Sequence, residues 1–202
     1  MKKIRVLLIV FLAWFATTSA KADSEIEATH NALRAMRDGL LDAVNKSDIE
    51  RELTYLTTNV VVTWHDATVS RGREGVRDYY NRMINGPNKI VADFHADIKV
   101  DELTILYGDN TGIAFGSALE HFKFTNGKSI DLTGRWTATM IKQDGRWLVA
   151  ALHVSSDIFD NIVLEMVKKY AIRSICLVFV VSITMGWLLG RIRHRPRAQN
   201  PS

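Results

Sequence analysis

The stretch GRWTATMIKQDGRWLVAALHVSSD, residues 134–157, decides the fold. It reads as two strands joined at Gln143-Asp144-Gly145, where aspartate and glycine tolerate the positive φ of a tight turn. Threonine, valine and tryptophan fill the two arms, as expected of residues packed on a pleated surface. In the second arm, alternation sets Trp147, Val149, Ala151, His153 and Ser155 on one face. Leu148, Ala150, Leu152 and Val154 occupy the other. Both sets are largely apolar, which predicts the last strand of a sheet covered on both sides. Packing the wholly apolar set against helices leaves His153 on the outer face; the opposite choice puts it in the interior beside Ser155.

Further strands precede this hairpin. Residues 90–100 alternate, and 103–107 continue the pattern after a break at Asp101-Glu102. Gly108-Asp109-Asn110 is a turn, 111–124 a long strand closed by Thr125-Asn126-Gly127, and 129–142 the strand leading into Gln143. The earlier part is helical. Ile26, His30, Leu33, Met36, Leu40 and Val44 recur at helical spacing, with Asp23 or Ser24 as cap. Ser47-Asp48-Ile49-Glu50 opens a short helix to about Tyr55, residues 59–64 form a strand, and 72–84 a helix stopped by Asn85-Gly86-Pro87. Helices followed by an antiparallel meander predict an α+β domain, N-terminal helices packed on a curved antiparallel sheet.

The two ends have a different character. Lys2, Lys3 and Arg5, an apolar run over 6–16 and Ala20-Lys21-Ala22 read as a signal peptide over 1–22; its alternative is an uncleaved anchor. Residues 174–190 are 17 positions without a charge, apolar on every side, which predicts a transmembrane helix rather than a core helix. Arg191, Arg193, Arg195 and Arg197 follow and belong on the cytoplasmic side. The expected order is signal peptide 1–22, folded domain 23–161, juxtamembrane helix 162–173, transmembrane helix 174–190 and basic cytoplasmic tail 191–202. The expected location is the bacterial inner membrane, with one span and the domain in the periplasm.

Charge follows this division. Of 26 Lys and Arg, four lie in the leader and seven after Val167, leaving fifteen against all 22 Asp and Glu, a net −7 for the exported part. An acidic domain argues against a nucleic-acid partner. The one cysteine, Cys176, lies in the span, so no intrachain disulfide forms. Gly186 and Gly190 form a G-x-x-x-G pair that can bring two spans together.

Three stretches in order, AVNKSDIERELTYLTTNVVVTWHD, GREGVRDYYNRM and GRWTATMIKQDGRWLVAALHVSSD, resemble the nuclear transport factor two-like superfamily in its SnoaL-like branch. The resemblance covers residues 25–157. It implies a cone of helices wrapped over a bent sheet, an enclosed pocket, and an outer sheet face that often forms a dimer. The superfamily holds isomerases, dehydratases and cyclases beside domains without known catalysis, so fold does not decide function. Against the isomerase pattern, Trp64 stands where a base is needed, Leu40 where a tyrosine is needed, and about Thr137 where a carboxyl is needed. Asp66 is either a displaced base or a turn carboxylate.

The remaining catalytic candidates are His65, Asp66, His95, His121, Arg135 and His153, and the ligand-binding candidates Trp64, Tyr79, Phe94, Arg135 and Trp136. A histidine base needs a pocket and reach to substrate. Arg135 could hold an anion if its strand face lines the pocket, or pair with Asp131, Asp97 or another acid of the sheet. No zinc-type spacing, phosphate loop or G-x-S-x-G elbow occurs, so no metal and no cofactor are expected. The favoured reading is a membrane-anchored, exported ligand-binding or accessory domain without identifiable catalytic machinery. Its expected partners are the membrane, a small molecule, a second copy through the outer sheet face or the span, or a neighbouring membrane protein. The alternative is an acid–base enzyme, an isomerase, dehydratase or cyclase acting on a small apolar substrate. That alternative requires two or more of His65, His95, His121, His153 and Arg135 to meet in one cavity.

Overall fold

The computed structural model describes the backbone of residues 2–157 and 162–193, and the side chains of 24–157 and 163–191. The chain divides into two compact units, 1–157 and 158–202. In the first, helix α1 runs Lys2–Asn45 and α2 Ile49–Leu53; strands β1 (Leu56–Thr63) and β2 (Val69–Arg71) follow, then α3 (Gly72–Tyr80) and a π-helical turn, Asn81–Asn85. Five strands complete the unit: β3 (Val91–Val100), β4 (Ile105–Tyr107), β5 (Thr111–Phe124), β6 (Ser129–Gln143) and β7 (Arg146–Ser156). The second unit contains α4, Ile162–Arg193.

Local chemistry explains most of these boundaries. Asp48 caps α2 by accepting the Arg51 N–H at 3.1 Å. Asp144 and Gly145 both have positive φ, 50° and 77°, the geometry of a two-residue turn that follows the twist of its strands. Helix 72–84 was expected to be regular; from Asn81 it widens to a π turn, where the Gly86 N–H reaches back five residues to the Asn81 carbonyl at 2.5 Å.

The sheet order is β2-β1-β7-β6-β5-β3, with β4 also on β5. The architecture is the α+β class expected, with one correction: the sheet is mixed, not antiparallel. β1 lies parallel to β7, Val61 beside Ala151 and Thr63 beside His153, while the other pairs are antiparallel. A parallel neighbour cannot be joined by a hairpin, and the whole of α3 and the meander intervene between these two strands.

The face assignment of β7 is half right, for a definite reason. Met140 pairs with Val149 but Thr139 with Ala151, so Ala150 bulges. Before the bulge Trp147 and Val149 join the core; after it Leu152 and Val154 pack there and His153 points outward, exposed. One inserted residue exchanges the two sets.

The core lies between α1, α3 and the concave sheet face, with Val60, Val62 and Val76 almost fully buried. The Asn45 side chain docks the end of α1 on β3: its Nδ2 donates to the Ala96 carbonyl at 3.0 Å and its Oδ1 accepts the Ala96 N–H at 2.8 Å. That amide satisfies backbone groups of an outer strand. On the inner face of β5, small residues alternate: Gly112, Ala114, Gly116 and Ala118, all buried. A Cβ on Gly116 would collide with the Lys99 carbonyl and meet Trp136 Cζ2 at 2.9 Å. Gly116→Ala is therefore expected to destabilise the protein by about 1–3 kcal/mol, against less than about 0.5 for the outward Ser117→Ala, read from denaturant midpoints.

Of α4, residues Val163–Arg191 are long and apolar enough to cross a membrane, with mean hydropathy 2.0. Its apolar side chains are exposed on all sides, Ile175 at 68% and Leu189 at 62%. The hydroxyls of Ser182 and Thr184 donate to carbonyls one turn back, at 2.8 and 3.0 Å, so they need no water.

Candidate functional site

The small stripe of β5 leaves a cavity of about 580 Å³ under the helices. Its wall is mostly aliphatic and aromatic, drawn from α1, α3 and the inner faces of β1, β3, β5, β6 and β7. On β6 the inner set is Leu132, Gly134, Trp136, Ala138 and Met140, all buried or, for Gly134, too closely covered to accept a Cβ.

The polar part of the wall lies where β1 ends. Trp64 stacks flat on Tyr79, ring centroids 4.2 Å apart and planes 3° from parallel, and its Nε1 donates to the buried Ser70 hydroxyl at 2.8 Å. The Arg82 guanidinium lies 5.0 Å from the Tyr79 centroid and 3.7 Å from the Asp66 carboxylate. Burial, reinforced by the negative charge of Asp66, pushes the Tyr79 phenol up to about 12. Asp66 also accepts the Thr68 N–H at 3.0 Å, and Ala67 beside it has φ 62°. Asp66 lines the cavity, but its hydrogen bond makes it the carboxylate of a tight turn.

His65 is the histidine candidate that faces the cavity. Its Nε2 is 2.5 Å from Oε2 of Glu120, which is 8% exposed and also lines the cavity. A carboxylate only accepts, so the shared proton assigns Nε2 as donor. The ring lies over Gly134, whose added Cβ would stand 3.4 Å from His65 Cε1, and Nδ1 is buried without a hydrogen-bond partner. An imidazole–carboxylate pair on an apolar wall can hold a proton and pass it to or from a bound molecule.

The other candidates divide by strand alternation. Trp64, Tyr79, Phe94 and Trp136 line the cavity, Phe94 tilted against Phe122 at 4.9 Å and Trp136 held by its Nε1 bond to the Ser117 carbonyl at 3.1 Å. Arg135 is corrected: it neighbours Trp136, so it points outward, where it pairs with Asp101. His153 is exposed on the outer face opposite Thr137, which is exposed as well. His95 and His121 stack on that face at 6.1 Å, with His121 Nδ1 2.7 Å from Asp131 and both rings within 3.7 Å of Asp97. The expected convergence of histidines with Arg135 in one cavity therefore does not occur; only His65 of that set is there. No group of three or more potential metal ligands is assembled among the described residues.

Several polar residues of the cavity wall were not among the candidates, Glu120, His30 and Glu52 among them. Glu120 interrupts the inner stripe Gly112, Ala114, Gly116, Ala118, and that alternation alone points it inward. Buried His30 and half-buried Glu52 also line the wall, from α1 and α2; His30 falls in the apolar helical series of α1, whereas nothing around Glu52 in the short α2 gives such a cue. Loss of water around the Glu52 carboxyl pushes it up to about 7 from 4.5. Folding then binds a proton between those values. The destabilisation from this one group is absent below pH 4.5, grows as pH rises towards 7 and levels off above, at most roughly 3 kcal/mol at about 1.4 per pKa unit. Glu52→Gln is expected to flatten that slope in denaturation measured across pH. Hydrogen bonding to Asp131, with the nearby Asp97 charge, raises the His121 imidazole above its usual 6.5. Its stabilising contribution is complete below 6.5 and lost as pH rises through the raised value. NMR titration should show a midpoint above 6.5 that falls in Asp131→Asn.

A family model for the SnoaL-like domain matches residues 38–150. Three solved structures are similar. A ketosteroid isomerase-like protein from Erwinia carotovora atroseptica is 15% identical over 62% of this chain and 94% of its own, TM-score 0.56. A hexachlorocyclohexane dehydrochlorinase of type 3 from Novosphingobium barchaimii is 18% identical over 69% and 94%, TM-score 0.57. The association domain of C. elegans CaMKII is 21% identical over 66% and 99%, TM-score 0.50. At these identities the likeness is one of fold. No curated protein sequence matches the chain.

Proposed function

The chain belongs to the SnoaL-like domain family, and from that premise we propose that its cone is a binding module for a small, largely apolar molecule, held at a membrane by α4. The observation that carries this reading is the cavity: about 580 Å³ is within the size range of small-molecule pockets, and its wall is apolar with few polar groups. Empty apolar space of that size is costly to keep in a packed interior. The anchoring is supported by the exposed, apolar Val163–Arg191 segment. In this reading the leader exports the acidic domain to the periplasm of a bacterial cell, and the arginines after residue 190 remain in the cytoplasm. A second copy, through the outer sheet face or the Gly186/Gly190 span, or a membrane-protein neighbour completes the assembly.

A second reading, acid–base catalysis, is favoured by one observation, the His65–Glu120 pair on the cavity wall. The similar isomerase-like and dehydrochlorinase structures support it by analogy. In this version Glu120 and His65 move a proton on the bound molecule, and Trp64 and Tyr79 position it.

Binding is tested by native mass spectrometry of the full chain released from detergent, and by titration with the uncharged dye Nile red in lipid nanodiscs. Wild type is expected to retain a small apolar molecule and to bind the dye. Ala118→Phe, which fills the cavity from β5, should weaken dye binding by about tenfold or more, whereas the outward Leu119→Phe should not. Equal binding by all three proteins would sink the reading. Incubating the co-purified molecule with protein in D₂O separates the catalytic version: deuterium uptake lost in Glu120→Gln with binding retained supports it, and no uptake by wild type rejects it.

A further inference from the structure

Glu52 differs from the other carboxylates and the arginines of the cavity wall. Arg34 is bonded to Glu27 at 3.0 Å and Arg37 to Asp38 at 2.7 Å. Asp66 faces Arg82, and Glu120 holds His65. Glu102 is open to solvent. Glu52 has no hydrogen-bond or ion-pair partner for its carboxyl among the described residues. It follows Glu50 and Arg51, which are paired with Arg77 and Asp42 on the outside of the domain. It precedes Leu53 and Leu56, each 3% exposed, in the core. It is itself half-buried and lines the cavity.

Such a carboxyl is costly. An apolar residue would fit its place at the end of α2 better, and an ionised one lacks a counter-charge on a largely apolar wall. That cost is recovered when a cation occupies the space in front of it. A hydroxyl or an ester oxygen would offer far less, since hydrogen bonds between charged groups are the strong ones. An acid would be repelled.

We infer that Glu52 recognises a cationic head group: the molecule that fills the cavity is an apolar amine, its ammonium on the Glu52 carboxylate and its hydrocarbon part against the aromatic and aliphatic wall. This rests on the reading of the cavity as a ligand site. It adds to that reading the class of ligand and the residue that selects it. The Trp64–Tyr79 stack and the His65–Glu120 pair then lie along the β1 side of the same cavity, available to the rest of the molecule.

The test compares three molecules with one apolar body: adamantane-methylamine, adamantane-methanol and adamantane-carboxylate. Each is titrated calorimetrically at pH 8 into the full chain in uncharged lipid nanodiscs, with empty nanodiscs as reference. Wild type is expected to bind the amine about tenfold or more tighter than the alcohol, with the carboxylate weakest. Glu52→Gln and Glu52→Leu should reduce the amine to the level of the alcohol and leave the alcohol unchanged. Both variants should melt at or above the wild-type temperature at this pH, since they remove a desolvated charge. Equal affinity for amine and alcohol in wild type, or an amine preference that survives in both variants, overturns the inference while leaving the apolar-ligand reading in place. Failure of all three to bind overturns both.

Discussion

At Gly116 the β5 backbone passes so close to the Lys99 carbonyl of β3 that no side chain fits between them. Here β5 changes partner: Ile113 still pairs with β4, whereas Gly116 pairs with Val100 of β3. The same inner face continues as Gly112, Ala114 and Ala118, so this long central strand carries little bulk where a closed core would need most. The helices above cannot collapse onto that surface, because Asn45 ties the end of α1 to Ala96 and the Arg73 guanidinium ties α3 to the Leu56 carbonyl. Small residues below and fixed helices above leave an open volume. The cavity is thus a consequence of backbone packing, and the rest of the site is arranged on its wall.

A low-dielectric wall then sorts the polar groups. Tyr79 lies flat against Trp64 and remains neutral; Trp64 and Trp136 find acceptors in Ser70 and Ser117; His65 and Glu120 satisfy each other. The charged groups of the outer face need no such care. Arg135 with Asp101, and His121 with Asp131, are pairs formed in water, where they contribute little to stability. Glu52 is the exception on the inside, a carboxyl whose desolvation has no internal compensation.

Family membership limits function without choosing it. Structures of similar fold include an isomerase-like protein, a dehydrochlorinase and an association domain. Trp64 and Leu40 are part of the apolar wall of the cavity, and position 137 faces away from it. The inward carboxylate with a histidine partner lies on β5, at Glu120.

Much of this was legible in the residues, because the rules that shape single elements are local. Period-two alternation, Asp144-Gly145 as a turn, Asp48 as a cap and an unbroken apolar run at 174–190 specify strands, turns, helix starts and a hydrophobic helix without reference to anything distant. The inward direction of Trp136 and the outward direction of Arg135 cannot both be ligand-facing by the same rule. What the tertiary structure alone decided depends on pairing between remote segments. One bulged residue, Ala150, exchanged the faces of β7. The parallel contact of β1 with β7 made the sheet mixed and brought Thr63 beside His153. His65 meets Glu120 across 55 positions, and nothing near either residue announces the other. Local sterics set the period of each strand, whereas register and proximity are set only when the whole sheet closes.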